Sequence, residues 1–368
     1  MSPPTSRRRL LAGLGTAVAG IATVGASGVF AEEWSTVSSP TSKTLHAVTR
    51  AAGNVYAVGG SGAVIRRASG SWSILDGDGP GDANKTLYGV AASDDGDRLW
   101  VAGSSGTVGS YDLVAGTATN RSNPLGVSPS FGDVAVAGPS GDERVYLAKG
   151  SGEVFVGTVS DEATSTATPT ETATATATAT ETTTETTTAT ATETATATET
   201  PTATASPTDD GSTGMSWRAS DTGSSYGIAA VDFVDAEYGH ALSANGGVFR
   251  TEDGAETWTR VGIADSRTTT YDLSSGRDRV YVGAGDGRLW RLDCVCENWT
   301  PLQAGTKSVR GVSRDGDRVL GAGESGRVFE RTGAGFDVAD TPTGNTLLAA
   351  SAGGVDIAVG NSGTIVER

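Results

Sequence analysis

The chain has 368 residues, 43 acids against 27 lysines and arginines, and a formal net charge of -16, a balance that repels phosphate backbones and excludes a nucleic-acid partner. Its bases are four lysines (Lys43, Lys85, Lys149, Lys307) and 23 arginines, and such an acid-rich, lysine-poor surface suits solubility in strong salt and a salt-loving source. Acidic loops on that background are no argument for metal sites, and no metal or cofactor is expected.

The chain opens with Ser6-Arg7-Arg8-Arg9-Leu10-Leu11, followed by an uncharged run over residues 12–30. A positive stretch before an apolar one reads as an export signal. Small residues at Val29-Phe30-Ala31 place cleavage after Ala31, and the pair Arg7-Arg8 resembles the twin-arginine signal, which implies export of a folded chain. An ordinary secretory signal or a retained anchor helix is the alternative, because the run nearly suffices to span a bilayer. Losing this segment removes three arginines and no acids, taking the charge from -16 to -19. The protein is expected outside the cell or at its surface, as a monomer.

Beyond residue 40 one pattern recurs. It reads VYAVGGSGAVIRR from Val55, LWVAGSSGTVGSY from Leu99, VYLAKGSGEVFVG from Val145, HALSANGGVFRTE from His240, VYVGAGDGRLWRL from Val280, VLGAGESGRVFER from Val319 and DIAVGNSGTIVER from Asp356. Two alternating runs around a glycine turn are paired antiparallel strands, here strands b and c of seven units. An apolar stretch precedes each pair, at 45–48, 87–91, 134–136, 228–231, 271–273, 309–312 and 347–350, and supplies an inner strand a. The glycines before strand c, Gly62, Gly106, Gly152, Gly247, Gly287, Gly326 and Gly363, are spaced by 44, 46, 95, 40, 39 and 37 residues. Repeats of about 40 to 45 residues are propeller blades. The fold class is therefore all-β, a seven-bladed β-propeller.

Aromatic residues mark the start of the outer strand d: Trp72 in unit one, Trp258 in unit four, Trp299 in unit five and Phe336 in unit six. Unit two has none. In unit three the aromatic is Trp217, beyond the long interval, and unit seven ends at Arg368 without a strand d. Trp34 supplies it, so the N-terminal strand seals the ring and covers an open edge. Residues 32–368 are thus one domain.

The long interval, residues 161–214, is a run of Thr, Ala, Glu and Pro lying between strands c and d of blade three. It cannot bury enough apolar surface to offset the entropy of ordering, which predicts a disordered insertion. Dense Thr with Pro also resembles O-glycosylated stalks.

In unit four, Thr251-Glu252-Asp253-Gly254-Ala255-Glu256-Thr257-Trp258 resembles the Asp box, with Ala255 where glycine is usual. The resemblance implies structural roles for Thr251, Asp253, Thr257 and Trp258, with Asp253 accepting amides in the turn and Trp258 packing into the blade. The turn tolerates Ala255 if that position keeps φ below zero. The phrase from Gly239 to Thr251 is also similar to the repeat of photosystem II assembly-factor-like propellers. That resemblance is sharp only in this blade. It implies a non-catalytic scaffold that holds a membrane-protein partner during assembly.

Asp boxes occur in sialidases too, but no arginine here has proline two residues later, and Tyr56, Tyr146 and Tyr281 share one position in three strands b, as architecture would. His46 and His240 stand apart from other donors, so no catalytic residue is assigned. Arg66, Arg250 and Arg291 recur three or four residues after the marker glycine in three blades, where they form either a carboxylate-reading patch or repeated ion pairs. Cys294 and Cys296 lie two apart, which leaves a small-loop disulfide and free thiols both open. Asn84, Asn120 and Asn298 begin glycosylation tripeptides, the first two in predicted loops. The reading favours an exported, non-enzymatic binding or assembly scaffold with a protein or glycan partner at the cell envelope. A glycan-binding or glycan-hydrolysing propeller is the alternative.

Overall fold

The computed structural model describes residues 33–159, 208–209, 214–263, 268–332 and 335–368. The unit Trp34–Arg368 consists of seven antiparallel sheets of strands a to d in sequence order, except at the seam. Inner strands are Leu45–Ala51, Leu87–Ala92, Phe131–Ala137, Ile228–Phe233, Thr270–Ser274, Val309–Asp315 and Leu347–Ser351.

Strand b of each blade reads as a nearly continuous apolar run because both of its faces are covered. In blade one, Val55 and Ala57 pack with Ile357 and Val359 of blade seven, while Tyr56 and Val58 pack with Leu87 and Leu99 of blade two. Among the described residues there are accordingly seven cores, one between each pair of neighbouring blades. The aromatics at the start of strand d reach backward into these seams. Trp72 Nε1 donates to Glu367 of blade seven at 2.8 Å, Trp258 to Ser220 of blade three at 2.8 Å, and Trp299 to the Val261 carbonyl of blade four at 2.6 Å. Phe336 joins the core holding Tyr281 and Leu289 of blade five, and buried Trp217 lies against Trp100 of blade two.

The last blade is completed by Ser35–Thr36, which pair with Glu367 and Val366. Trp34 packs on Leu320 and Val328 of blade six, beneath the Arg368 guanidinium at 5.2 Å. In blade three, strand c (Glu153–Val159) pairs in full with strand d (Met215–Asp221), from Glu153 opposite Asp221 to Val159 opposite Met215. The insertion therefore leaves and re-enters between adjacent paired strands. Thr208–Asp209 add a short fifth strand against Trp217 and Ser216. The rest of the insertion, with its expected disorder, and the expected signal residues Arg7, Arg8 and Ala31 lie outside the described residues.

The marker glycine is required where the next connection crosses it. Gly62 has φ +80, and a Cβ there would sit 2.2 Å from the Asp78 carbonyl oxygen. In blade four the left-handed residue is Gly246, φ 90, one position earlier than the repeat spacing places it.

Strand polarity separates two faces. The b-to-c turns and d-to-a connections form one, here the upper face; the a-to-b and c-to-d turns form the lower. Trp34, both ends of the insertion and Arg368 all lie on the lower face, since each begins a strand d or ends a strand c.

Candidate functional site

At the second residue of every inner strand the pairing slips by one, as between Leu45 and Ala47 or Thr270 and Asp272. Such a bulge leaves one residue unpaired and re-aims its side chain. The seven bulged residues, His46, Tyr88, Gly132, Ala229, Tyr271, Arg310 and Leu348 in blade order, line the upper part of a central channel of about 710 Å³.

The rim they form is uneven. His46 and Tyr88 meet edge to face at 5.1 Å, and Arg310 lies 4.0 Å over the Tyr271 ring while pairing with Glu324 at 2.9 Å. Between these two groups blades three and four present only Gly132 and Ala229, which leaves a notch.

Below the rim three carboxyls line the channel, from blades three, four and five. Asp133 accepts the amides of Val134 at 2.8 Å and Val231 of the next blade at 3.1 Å. Asp272, at the same register in blade five, accepts Leu273 and Val312, both at 2.8 Å. Asp232 accepts the Ser275 amide at 2.7 Å. Removal from bulk water outweighs these amides and pushes Asp272 up to about 7 and Asp232 up to about 6. Asp133 rises well above the ordinary carboxylate range, by burial first and then by repulsion from Asp272.

Sequence reasoning missed these acids. For Asp133 and Asp272 the signal is a register one, since the third residue of strand a is Ala47, Gly89, Ala230, Gly311 or Ala349 in the other five blades; Asp232, the fifth residue of its strand, does not share it. An acid at a small-residue position beside a bulge marks a channel-facing group.

The opposite wall carries bases that are all engaged. Arg50 donates from Nε to the Ala352 carbonyl at 3.1 Å and from Nη2 to that of Ser351 at 3.3 Å, and so ties blade one to blade seven. Arg314 binds both oxygens of Asp278, at 2.9 and 3.1 Å.

The residues singled out from sequence fall elsewhere. Arg66, Arg250 and Arg291 sit on strands c of blades one, four and five, two strands out from the channel. Arg250 pairs with Glu252 at 3.2 Å and Glu297 at 3.0 Å, while Nε of both Arg66 and Arg291 is buried without a hydrogen-bond partner. Asp253 Oδ1 accepts Glu256 and Thr257 amides at 3.0 and 2.9 Å and the Thr251 hydroxyl at 2.8 Å. Ala255, however, has φ +66, so the turn does require the left-handed region there. The turn is clamped from blade three, whose Arg218 and Ser220 donate to the Ala255 carbonyl at 2.8 and 2.6 Å.

Cys294 and Cys296 are free thiols, one half-buried and one exposed. Blade two shows why a disulfide is not favoured. Its turn 112–116 matches 293–297, with Asp112 and Asp293 each accepting the amide two residues on. There half-buried Leu113 occupies the place of Cys294 and exposed Ala115 that of Cys296, so the two side chains serve opposite sides. Asn84 and Asn298 are exposed, as is Asn120, which is the last residue of a strand and not in a loop.

Fully buried His240 does meet a serine: its Nδ1 lies 3.1 Å from Ser275 Oγ. Ser275 Oγ, however, donates to the Asp232 carbonyl at 3.1 Å, and burial takes the imidazole down to about 3. A base so weak, facing an oxygen that has already spent its proton, activates no nucleophile.

Six four-stranded blades and one with a short fifth strand, set around a channel with a bulged inner ring, define a seven-bladed β-propeller. No family model and no curated protein sequence matches the chain. Among solved structures it is similar to YCF48 from Cyanidioschyzon merolae, with 15% identity, 91% of this chain and 98% of that one covered, and a TM-score of 0.59. It is also similar to YCF48 bound to D1 peptide (12%, 92% and 97%, TM-score 0.61) and to U3-55K (12%, 92% and 98%, TM-score 0.63). At these identities the likeness carries the fold alone, that of a seven-bladed propeller.

Proposed function

We propose that this protein is an exported, non-enzymatic binding scaffold that receives an extended segment of an envelope protein on its upper face, at the rim of the channel. The observation that carries this reading is the uneven rim, with paired aromatic groups on either side of an open notch. A solved propeller of similar fold is described as bound to a peptide. The described strand ends that flank the insertion, Val159 and Met215, lie on the lower face with Trp34 and Arg368. Capture of partners from the native cell envelope at high salt, with parallel incubation with sialosides and mixed oligosaccharides, tests it. A bound protein without glycan turnover is expected; turnover would overturn the scaffold reading, and glycan binding without turnover would replace it by a lectin.

A further inference from the structure

The notch at Gly132 and Ala229 lies above an acid wall for which the described residues supply no counter-charge. Among the described residues Asp133, Asp232 and Asp272 are held by backbone amides and form no ion pair. The bases across the channel are committed to carbonyls, Asp278 and Glu324. Burial without a counter-charge makes these groups hold their protons to higher pH, a cation beside them restores the carboxylate form, and each keeps lone pairs beyond those its amides use.

The rim geometry directs access to that wall. Five of the seven bulge positions carry His46, Tyr88, Tyr271, Arg310 and Leu348, while the two small ones are neighbours, with Gly132 exposed. They belong to blades three and four, which also supply Asp133 and Asp232. An opening of this kind and a channel of about 710 Å³ admit a long side chain with its hydration.

Resting on the binding role proposed above, we infer that the notch receives a basic side chain of the partner's extended segment, whose cationic head is held by Asp133 and Asp272. The acids are thereby half of an ion-pair set completed by the partner. The aromatic groups flanking the notch hold the segment's backbone in register. This assigns the partner's chemistry, a peptide with an arginine or lysine, where the fold alone assigns none.

The probe is butylguanidinium, compared with 1-butanol and butyrate at low salt by ligand-observed NMR on the intact protein. The expected result is binding at least tenfold tighter for butylguanidinium than for butanol, and none for butyrate. Ala229→Tyr places in the notch the side chain that blades two and five carry at this register, so the ring is preserved; it weakens the cation at least fivefold, as does Asp272→Asn. Equal binding of cation and alcohol, or binding untouched by Ala229→Tyr, would overturn the inference. If an envelope protein is still captured through the rim in that case, the scaffold reading stands and only the basic side chain falls. Self-association abolished by Ala229→Tyr would give the notch to a second copy and also overturn it.

Discussion

Arg67 and Glu367 meet through two parallel hydrogen bonds of 2.8 Å, joining strand c of blade one to the second-last residue of the chain. Trp72 Nε1 donates to the same carboxylate, and the pair is largely shielded from solvent. Leaving Arg67 and Trp72 without this acceptor strands a buried charge, which costs about 3 kcal/mol. Glu367→Ala is therefore expected to lower unfolding free energy by about that amount in urea. In a double-mutant cycle with Arg67→Ala the two losses should be far from additive.

The seam depends equally on the N-terminal strand. Trp34→Ala empties a core shared with Leu320 and Val328 and should cost about 3 to 5 kcal/mol. Removing residues 161–207 should leave a cooperative thermal melt, because strands c and d of blade three already pair in register from Val159 to Met215. A melt lost in the deletion, or unchanged in Trp34→Ala, contradicts this account of closure.

The Asp-box turn yields a contrast at one site. Asp253→Ala releases two amides and two hydroxyls and should cost about 2 kcal/mol. Ala255→Gly relieves about 1 kcal/mol of left-handed strain but exposes a buried methyl site worth about 0.8 kcal/mol, so it should be nearly neutral. Ala255→Val should cost more than about 2 kcal/mol, since a β-branched residue is strained at that φ. Chemical denaturation of the three variants separates these outcomes.

Asp272 makes stability fall with rising pH between its unfolded value, about 4, and its folded value, about 7. Its folded pKa, about 7, lies above its unfolded value, so its contribution is complete at low pH and is lost as pH rises through 7. His240, taken down to about 3, acts oppositely: its neutral form is favoured on folding, and stability falls as pH drops below the unfolded value near 6.5. Above pH 6.5 the imidazole no longer contributes, so the decline there belongs to the raised channel carboxyls Asp133, Asp232 and Asp272. Melting temperature should decline from pH 6.5 to 8 in the native protein and decline less in Asp272→Asn.

Much of the ring was legible in the sequence because propeller strands repeat. The glycine turn, both apolar faces of strand b, Trp217 beyond the insertion and Trp34 at the start each follow from one blade pattern. The rim was not legible, because the bulge that turns His46 or Tyr271 into the channel leaves the alternation of strand a looking like an ordinary half-buried strand. The fate of Arg66 and Arg291 was hidden for a related reason: recurrence along the chain marks a shared register, and in a ring the same register in different blades points to different places. Ala255 shows a third limit, since the Asp-box pattern alone does not reveal that the turn supports a left-handed alanine.

The most direct test of the binding role is site-specific photo-cross-linking on the two faces. One probe replaces Tyr88 at the upper rim, and another replaces Val295, 90% exposed on a lower turn. In native envelope extracts the account predicts an envelope protein cross-linked through position 88 and not through 295, with the adduct lost in Ala229→Tyr. Cross-linking confined to position 295, or position-88 adducts unaffected by Ala229→Tyr, would contradict it.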